Sequence, residues 1–273
     1  MREIASISAI EAQGIRYVLM DIDDTLTTGG KLLAAPYAAL WRLHKAGLKV
    51  VPITGRPAGW CDLIARQWPV DGVVGENGAF ALWEAEGQRL REILHPGAVP
   101  NDAPPLARVR NRALAEVPGC RVAKDQRYRR FDIAIDFAEE DPVLPLEAGI
   151  AIKRICDEEG VKAKISSIHV NAWMGDYDKL HTATMFLRER FGYDDETDRR
   201  QVLFLGDSPN DEPMFAHFPL ACGVANVKKY LSLIKRLPAF VTEAEGGDGF
   251  AEAIERILKI RSKSVSPISR KTE

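Results

Sequence analysis

Short, almost wholly apolar runs alternate with helix-like segments at both ends of the chain. The runs cover residues 17–20, 48–53, 70–74, 202–205 and 220–224. After the first run, residues 33–46 carry apolar side chains at helical spacing, and this segment ends at Gly47. Strands that are apolar throughout are typical of a parallel sheet covered by helices on both faces, so the pattern predicts that architecture.

The middle of the chain has a different pattern. Residues 80–83 and 90–94 flank a polar segment and predict a β-hairpin. Residues 129–137 alternate in polarity, with Phe131, Ile133, Ile135 and Phe137 on one face and Asp132, Ala134 and Asp136 on the other. Such alternation is typical of an antiparallel sheet with one solvated face. Helical segments at 106–116 and 146–159 and strands at 161–165 and 168–174 complete this α+β region.

These patterns predict an α/β fold in which an α+β domain is inserted into a Rossmann-like, doubly wound parallel sheet. Residues 1–81 and 176–261 are expected to form the sheet domain, and residues 82–175 the insert. Residues 262–273 lack apolar periodicity and are predicted to be a disordered tail.

Composition narrows the classes of protein that this chain can represent. Its 273 residues contain 37 Lys and Arg against 39 Asp and Glu, a net charge of −2, so nucleic acid is not an expected partner. The four cysteines form no CxxC pair and are expected to be small core residues in a reducing compartment. With no signal-peptide pattern and no apolar stretch near ~20 residues, the chain is expected to be cytoplasmic and to span no membrane.

Acidic side chains follow two of the predicted strands directly. Asp21, Asp23 and Asp24 come after residues 17–20, and Asp207 comes after residues 202–205, followed by Asn210 and Asp211. Because parallel strands present their carboxyl ends to one crevice, these clusters are expected to converge. Converging carboxylates form an oxygen-rich site of the kind that Mg²⁺ prefers. The alternatives are a solvated acidic turn for the first cluster and a helix-capping role alone for Asp211.

Two further segments are suited to binding an anion. Thr54 and Gly55 follow the strand at 48–53 and offer a hydroxyl and backbone N–H groups, although threonine before glycine is also common in ordinary turns. Asp178 is a good N-cap for a helix over 180–191, whereas Lys179 opposes the helix dipole there. A lysine in this position is easier to understand if it faces a carboxylate or phosphate, and the alternative is a surface lysine.

Other chemistries lack the residues that they need. Counted from Asp21, a calcium-binding loop would require glycine where Leu26 stands and glutamate where Leu32 stands. Gly30-Lys31 is not a phosphate-binding loop, because Thr25 occupies the position of the first glycine. No GxSxG motif supports a serine nucleophile.

Taken in order, these elements resemble the haloacid dehalogenase superfamily. They are Asp21-x-Asp23-x-Thr25, Thr54, Lys179 and Gly206-Asp207-x-x-Asn210-Asp211. Ile53-Thr54-Gly55-Arg56 and Gly75-Glu76-Asn77-Gly78-Ala79 are also similar to its Cof-like, sucrose-phosphatase-like branch, which carries a type IIB cap between the second and third elements. The chain departs from the pattern at Asp24 and Leu180, where relatives often carry glycine, but neither change removes a reacting group.

The resemblance implies a Mg²⁺-dependent phosphatase. Asp21 would be the nucleophile that forms an aspartyl-phosphate, and Asp23 the general acid and base. Asp21, the backbone carbonyl of Asp23 and Asp207 would hold Mg²⁺. Thr54 and Lys179 would bind phosphoryl oxygens. Asp211 is expected to orient Lys179 or a metal-bound water, and Asn210 to lie in the same supporting layer.

Within this resemblance, the insert would be a cap that closes over the site and selects the leaving group. His169, Asn171 and Trp173 share one face of its last predicted strand. If that face looks into the crevice, Asn171 and Trp173 suit a polyol or sugar, and the alternative is that Trp173 packs under the cap helices. On the core side, Thr54, Gly55, Arg56 and Lys179 are the candidate substrate-binding residues.

The preferred hypothesis is therefore a phosphatase that acts on a small phosphorylated metabolite, a sugar phosphate in particular. One alternative is a sugar phosphomutase, because the same intermediate can return its phosphoryl group to a hydroxyl. A second alternative is a non-catalytic metabolite-binding protein that retains the fold. A dehalogenase is disfavoured, because that branch has no use for an acid at Asp23 or for Mg²⁺.

Overall fold

A computed structural model describes residues 1–166 and 168–263. Within this part of the chain the strands are β1 (Arg2–Glu3), β2 (Tyr17–Met20), β3 (Lys49–Pro52), β4 (Val73–Gly75), β5 (Phe80–Ala85), β6 (Arg89–Leu94), β7 (Arg121–Val122), β8 (Asp132–Asp136), β9 (Lys162–Ile165), β10 (His169–Trp173), β11 (Val202–Gly206), β12 (Leu220–Gly223) and β13 (Phe240–Val241).

Helices flank these strands. They are α1 (Ala9–Gly14), α2 (Ala34–Lys45), α3 (Ala58–Gln67), α4 (Pro104–Glu116), α5 (Leu146–Glu158), α6 (Lys179–Phe191), α7 (Asp195–Asp198), α8 (Glu212–His217) and α9 (Gly246–Lys263). No helix in the described ranges combines the length and the apolar character needed to cross a bilayer. Because α9 continues to Lys263, residues 262 and 263 are helical and not part of a disordered tail. The remainder of the predicted tail lies outside the described residues.

Both ends of the chain build one parallel sheet of six strands in the order β1-β13-β12-β11-β2-β3. Strand β2 is fully buried and lies between β11 and β3, as its wholly apolar sequence predicts. The ends of these three strands are therefore neighbours, although residues 21 and 207 are far apart in the sequence. All four cysteines are buried free thiols, as expected for core residues.

The predicted hairpin extends the core and does not begin the insert. Strands β5 and β6 pair antiparallel with each other, β5 pairs with β4, and Val74 bridges to Ile53 beside β3. Trp83 of the hairpin packs against Phe186 of α6, with ring centroids 5.8 Å apart. The boundary predicted between residues 81 and 82 consequently falls inside β5.

The inserted segment contains a four-stranded antiparallel sheet in the order β7-β8-β10-β9. Helices α4 and α5 cover one face through a cluster that includes Val109, Ile135 and Ile152. The opposite face was expected to be solvated, and this prediction is wrong. Asp132 and Asp136 of that face are 0% and 1% exposed. Asp132 faces the core, where the Asn77 amide donates to it, whereas the hydrogen-bond donors to Asp136 belong to the insert itself.

The segment between β4 and β5 ties the core to the insert. Glu76 and Asn77 have φ values of 43° and 57°, a left-handed conformation that costs ~1 kcal/mol or more per non-glycine residue. The Glu76 carboxylate accepts hydrogen bonds from the backbone N–H groups of Ala58 and residues 130–132. These bonds offset the strained backbone and fix the segment that leads into β8.

We predict that Glu76→Ala strongly destabilises the fold. The change leaves four backbone N–H groups without their acceptor, and each unsatisfied buried group costs ~1–3 kcal/mol. The free energy of unfolding in urea should fall by at least ~3 kcal/mol. Glu92 forms an exposed ion pair with the Arg130 guanidinium, so Glu92→Ala is a matched control, expected to cost at most ~1 kcal/mol. Equal losses in the two variants would contradict the assigned role of Glu76.

Candidate active site

Three carboxylates from two strand ends converge at the carboxyl edge of the parallel sheet. Ligand oxygens of Asp21, Asp207 and Asp211 all lie within 4.8 Å of one another, and all three residues are buried. Asp21 follows β2 directly, and its backbone N–H donates to the carbonyl of Leu205 in β11 at 2.9 Å. The convergence predicted from the positions of the acids along the chain is therefore present.

Lys179, the first residue of α6, supplies positive charge to this cluster. Its Nζ lies 2.8 Å from Asp21 Oδ1 and 3.1 Å from Asp211 Oδ1, and its side chain is 6% exposed. Burial by itself lowers the pKa of this ammonium, but the two adjacent carboxylates outweigh burial and raise it. Asp178 caps the helix by accepting the N–H of His181 at 2.8 Å. Lys179 is therefore a buried lysine that faces carboxylates, and the surface-lysine alternative is excluded.

Asp211 uses both carboxylate oxygens within the protein. Oδ1 accepts from Lys179, and Oδ2 accepts from the backbone N–H groups of Asp207 and Ser208 at 3.0 and 3.4 Å. Gly206 makes this geometry possible, since a Cβ there would lie 2.5 Å from Asp211 Oδ2. The glycine is therefore needed for the close approach of this carboxylate.

The acidic cluster carries more negative charge than Lys179 can balance. Burial, and then the charges of Asp211 and Asp21, raise the pKa of Asp207 well above its usual range. Burial also raises the pKa of Asp21 to about 7, against the opposing effect of Lys179. Thr25 supports Asp207 through a hydroxyl donated to Oδ1 at 3.1 Å. Buried oxygen ligands with uncompensated charge fit a divalent cation.

Asp23 is held by Arg56 at the edge of the cluster. The Arg56 Nε and Nη2 atoms lie 2.9–3.1 Å from the two oxygens of Asp23. Arg56 also reaches the inserted domain, where Nη1 donates to Glu139 Oε1 at 2.8 Å. The predicted substrate residue is thus an ionic bridge between Asp23 and the cap.

The cap closes over these groups and leaves a small polar cavity of about 20 Å³, room for roughly one or two water molecules. Core residues that line it include Asp21, Asp23, Gly55, Arg56 and Asp207, and the cap contributes Arg129, His169 and Asn171. A wider groove of about 470 Å³ opens beside it, lined by cap residues such as Ile150 and Lys164 and by core residues such as Pro209. Ser208 and Asn210 line both spaces, so the groove leads to the site.

The structure brings together some of the predicted substrate residues and separates others. Asn171 lines the cavity, and its amide donates to Asp132 at 3.0 Å. Trp173 instead stacks on Tyr177, with ring centroids 5.7 Å apart, in an apolar cluster that also contains Phe131. Trp173 is therefore buried away from the cavity, but among residues that include Phe80 of the core and not under the cap helices. Thr54 is fully buried behind the cavity and its hydroxyl accepts the backbone N–H of Arg56 at 3.0 Å.

Sequence reasoning missed several residues of the site. Arg129, Asp132 and Glu139 form the charged layer of the cap, and Asn77 lines the cavity from the segment after β4. A signal for Asp132 was present, because it lies on the polar face of the alternating strand. Glu139 lies after the alternating segment, where no periodicity marks the direction of a side chain. Arg129 lies within that segment, but the strand begins only at Asp132, so alternation does not give the direction of the Arg129 side chain.

A family model and two relatives among known proteins match this chain. A family model described as haloacid dehalogenase-like hydrolase matches residues 18–97. A phosphoglycolate phosphatase of Pyrobaculum neutrophilum is 28% identical over 257 residues, an alignment that covers 90% of this chain and 96% of the relative. A phosphoglycolate phosphatase of Methanopyrus kandleri is 26% identical over 250 residues, with 89% and 97% covered.

Solved structures share the fold at lower identity. A protein from Plasmodium vivax described as a HAD/Cof-like hydrolase superimposes with a TM-score of 0.67 at 15% identity, covering 93% of this chain and 100% of the other. A HAD subclass IIB sugar phosphatase gives 0.60 at 16% identity, covering 90% and 99%. These findings confirm the predicted fold class. Together, the family match, the long alignments and the common fold support the resemblance to haloacid dehalogenase-like hydrolases of the Cof-like branch.

Proposed function

We propose that the chain is a Mg²⁺-dependent phosphatase that hydrolyses the phosphate monoester of a small metabolite, a sugar phosphate, through an aspartyl-phosphate. The observation that carries the proposal is the buried Asp21 carboxylate, held 2.8 Å from the Lys179 ammonium beside Asp207. The names of the relatives support a phosphate ester as substrate, and that of one structural neighbour supports a sugar.

Asp21 would act as the nucleophile. One carboxylate oxygen accepts a hydrogen bond from Lys179, so the carboxylate is held in a fixed orientation at the floor of the cavity. Attack on phosphorus forms an aspartyl-phosphate and releases the alcohol, and water then hydrolyses this intermediate, so that two easier steps replace one difficult displacement.

Asp23 would move the protons of both steps. It lies on the cavity wall, two residues after the nucleophile, where it can protonate the departing alkoxide and later take a proton from the attacking water. Arg56 keeps this carboxylate against the wall through bonds to both of its oxygens. The arginine therefore positions the acid and base and does not contact phosphate in this arrangement.

Asp21, Asp207 and the backbone carbonyl of Asp23 would hold the Mg²⁺ ion. Both oxygens of Asp211 are engaged by Lys179 and by backbone N–H groups, so this residue suits a supporting role. When bound, the cation neutralises charge on the carboxylates and on the phosphoryl group. The Lys179 ammonium, the Thr54 hydroxyl and the N–H groups near Gly55 would bind phosphoryl oxygens as charge moves in the transition state.

Substrate entry requires the cap to move. A cavity of about 20 Å³ cannot contain a phosphate ester. Opening would break the bonds that Glu139 and Arg129 make to the core, and closure would bring Asn171 and His169 over the leaving group. Their amide and imidazole groups are suited to sugar hydroxyls.

A cytoplasmic location and the absence of a nucleic-acid partner remain predictions from composition.

We predict that Asp21→Asn abolishes turnover, because the amide is not a nucleophile. Phosphate release from p-nitrophenyl phosphate with Mg²⁺ should fall to background, whereas Asp24→Asn should retain most activity. Asp24 has a φ of 56°, a conformation that asparagine also accepts. An Asp21→Asn variant that keeps more than a few per cent of activity would exclude Asp21 as the nucleophile.

The same assay separates the alternative functions. A phosphomutase would require a bisphosphorylated activator and release little phosphate, and a non-catalytic protein would bind esters without turnover.

A second prediction concerns pH. The pKa of Asp21 is raised to about 7 in the cation-free protein, so the carboxyl is mostly protonated at pH 6 and mostly ionised at pH 8. A cation binds the ionised form, so the Kd for Mg²⁺ measured by calorimetry should fall at least about tenfold from pH 6 to pH 8, with proton release. A Kd independent of pH over this range would contradict the assignment of Asp21 as a ligand.

A further inference from the structure

Both arginines that line the cavity are already paired with carboxylates. Arg56 donates to both oxygens of Asp23, and through Nη1 to Glu139 at 2.8 Å. Arg129 pairs through Nε and Nη2 with Asp125 at 3.0 and 3.1 Å, and through Nη1 with Asp132 at 2.9 Å. Its Nη1 also donates to the carbonyl of Gly55 at 2.8 Å. Each guanidinium is therefore occupied by the protein itself.

The charges on this side of the cavity sum to a negative value. Two arginines face four carboxylates, namely those of Asp23, Glu139, Asp125 and Asp132. Burial raises the pKa of Asp132, so the negative charge nearest to Arg56 is that of Asp23 and Glu139, and His169 contacts Glu139 at 2.9 Å. The hydrogen bond from His169 comes first among the causes that lower the pKa of Glu139 to about 2, and the Arg56 charge also contributes. Glu139 is consequently ionised at neutral pH.

We propose that Glu139 is a specificity-determining residue that excludes esters whose leaving group carries a carboxylate, so that the preferred leaving group is an uncharged hydroxylated one. This inference rests on the proposed phosphatase function and deepens it. It sets this chain apart from the substrate named for its phosphoglycolate phosphatase relatives.

The physical reason is that, among the described residues that line the cavity, the two cationic side chains, Arg56 and Arg129, already have carboxylate partners. A substrate carboxylate that the cap covers beside Arg56 and Arg129 would lose its water and compete with the carboxylates that these arginines already bind. Burial of a hydroxyl costs far less free energy, and the hydroxyl can form hydrogen bonds with Asn171 and His169. Sites that leave a buried polar group unpaired reject the mismatched substrate by ~100-fold or more.

The test uses two pairs of esters that differ only in carboxylate against hydroxymethyl. They are 2-phosphoglycolate against 2-hydroxyethyl phosphate, and 3-phosphoglycerate against glycerol 3-phosphate. For the unaltered protein with Mg²⁺, kcat/KM should be at least ~10-fold higher for the alcohol of each pair. A carboxylate ester that is hydrolysed as efficiently as its partner would overturn the inference.

Glu139→Gln then tests the residue itself. The substitution removes the negative charge but keeps an acceptor for Arg56 Nη1, so a substrate carboxylate meets less repulsion and competes better for the guanidinium, and the kcat/KM ratio of acid to alcohol should rise at least ~10-fold. Damage to the fold would lower kcat/KM for both esters and leave the ratio unchanged. The matched control is Glu140→Gln, the next residue, which pairs with Lys124 on the surface and should leave the ratio unaltered. An unchanged ratio in Glu139→Gln would overturn the assignment.

Failure of the proposed function is distinguishable from failure of the inference. No phosphate release from any of the four esters or from p-nitrophenyl phosphate would overturn both. Hydrolysis of the aryl ester without hydrolysis of either alcohol ester would overturn only the inference about the leaving group.

Discussion

Carboxylates buried at one edge of the parallel sheet repel one another, and the structure around them must compensate that repulsion. Asp21, Asp207 and Asp211 have ligand oxygens within 4.8 Å of one another, and Lys179 is the cation that contacts two of them. Charges of one sign in a buried site raise the free energy of the fold unless counter-charges and hydrogen bonds compensate. The Lys179 ammonium at the start of α6, the Thr25 hydroxyl and the backbone N–H groups at 207 and 208 are all directed at this cluster. The negative charge that these groups leave uncompensated makes the site suitable for a divalent cation.

The cap meets this edge through a second layer of charge. Arg56 and Arg129 reach across the boundary between core and insert, and the Glu76 carboxylate fixes the chain that enters β8. Polar residues therefore cover the inner face of the cap sheet, where its amphipathic strands would otherwise meet water. Arg56 binds a carboxylate from each domain, whereas Arg129 binds cap carboxylates and reaches the core through the backbone carbonyl of Gly55, so both arginines join the two domains beside the cavity.

Strain and close approach are concentrated near the same edge. Glu76 and Asn77 adopt left-handed backbone conformations beside the cavity, and their side chains hold them there through bonds to the cap. At Gly78, a Cβ would lie 2.1 Å from the carbonyl of Asp178, so the segment presses against the start of α6. The hydroxyl of Thr182 donates to the carbonyl of Gly78 across this contact. The strained backbone at residues 76 and 77 and the close contact at Gly78 thus lie next to the start of α6, which carries Lys179.

The sequence by itself determined the central strands of the sheet and which acids converge, whereas the short edge strands β1 and β13 carry no such pattern. Apolar runs such as 17–20 specify buried strands, and carboxylates directly after such runs must lie at the carboxyl edge of the sheet, so Asp21 and Asp207 could be placed from pattern alone. Tertiary structure decided the direction and partners of the remaining side chains. Alternation put Asp132 and Asp136 on one face, but whether water or the core covers that face depends on the packing of two domains. For the same reason Trp173 shares a strand face with Asn171 yet packs on Tyr177, and Arg56 binds Asp23 and Glu139, because long-range contacts fix side-chain positions that local periodicity leaves open.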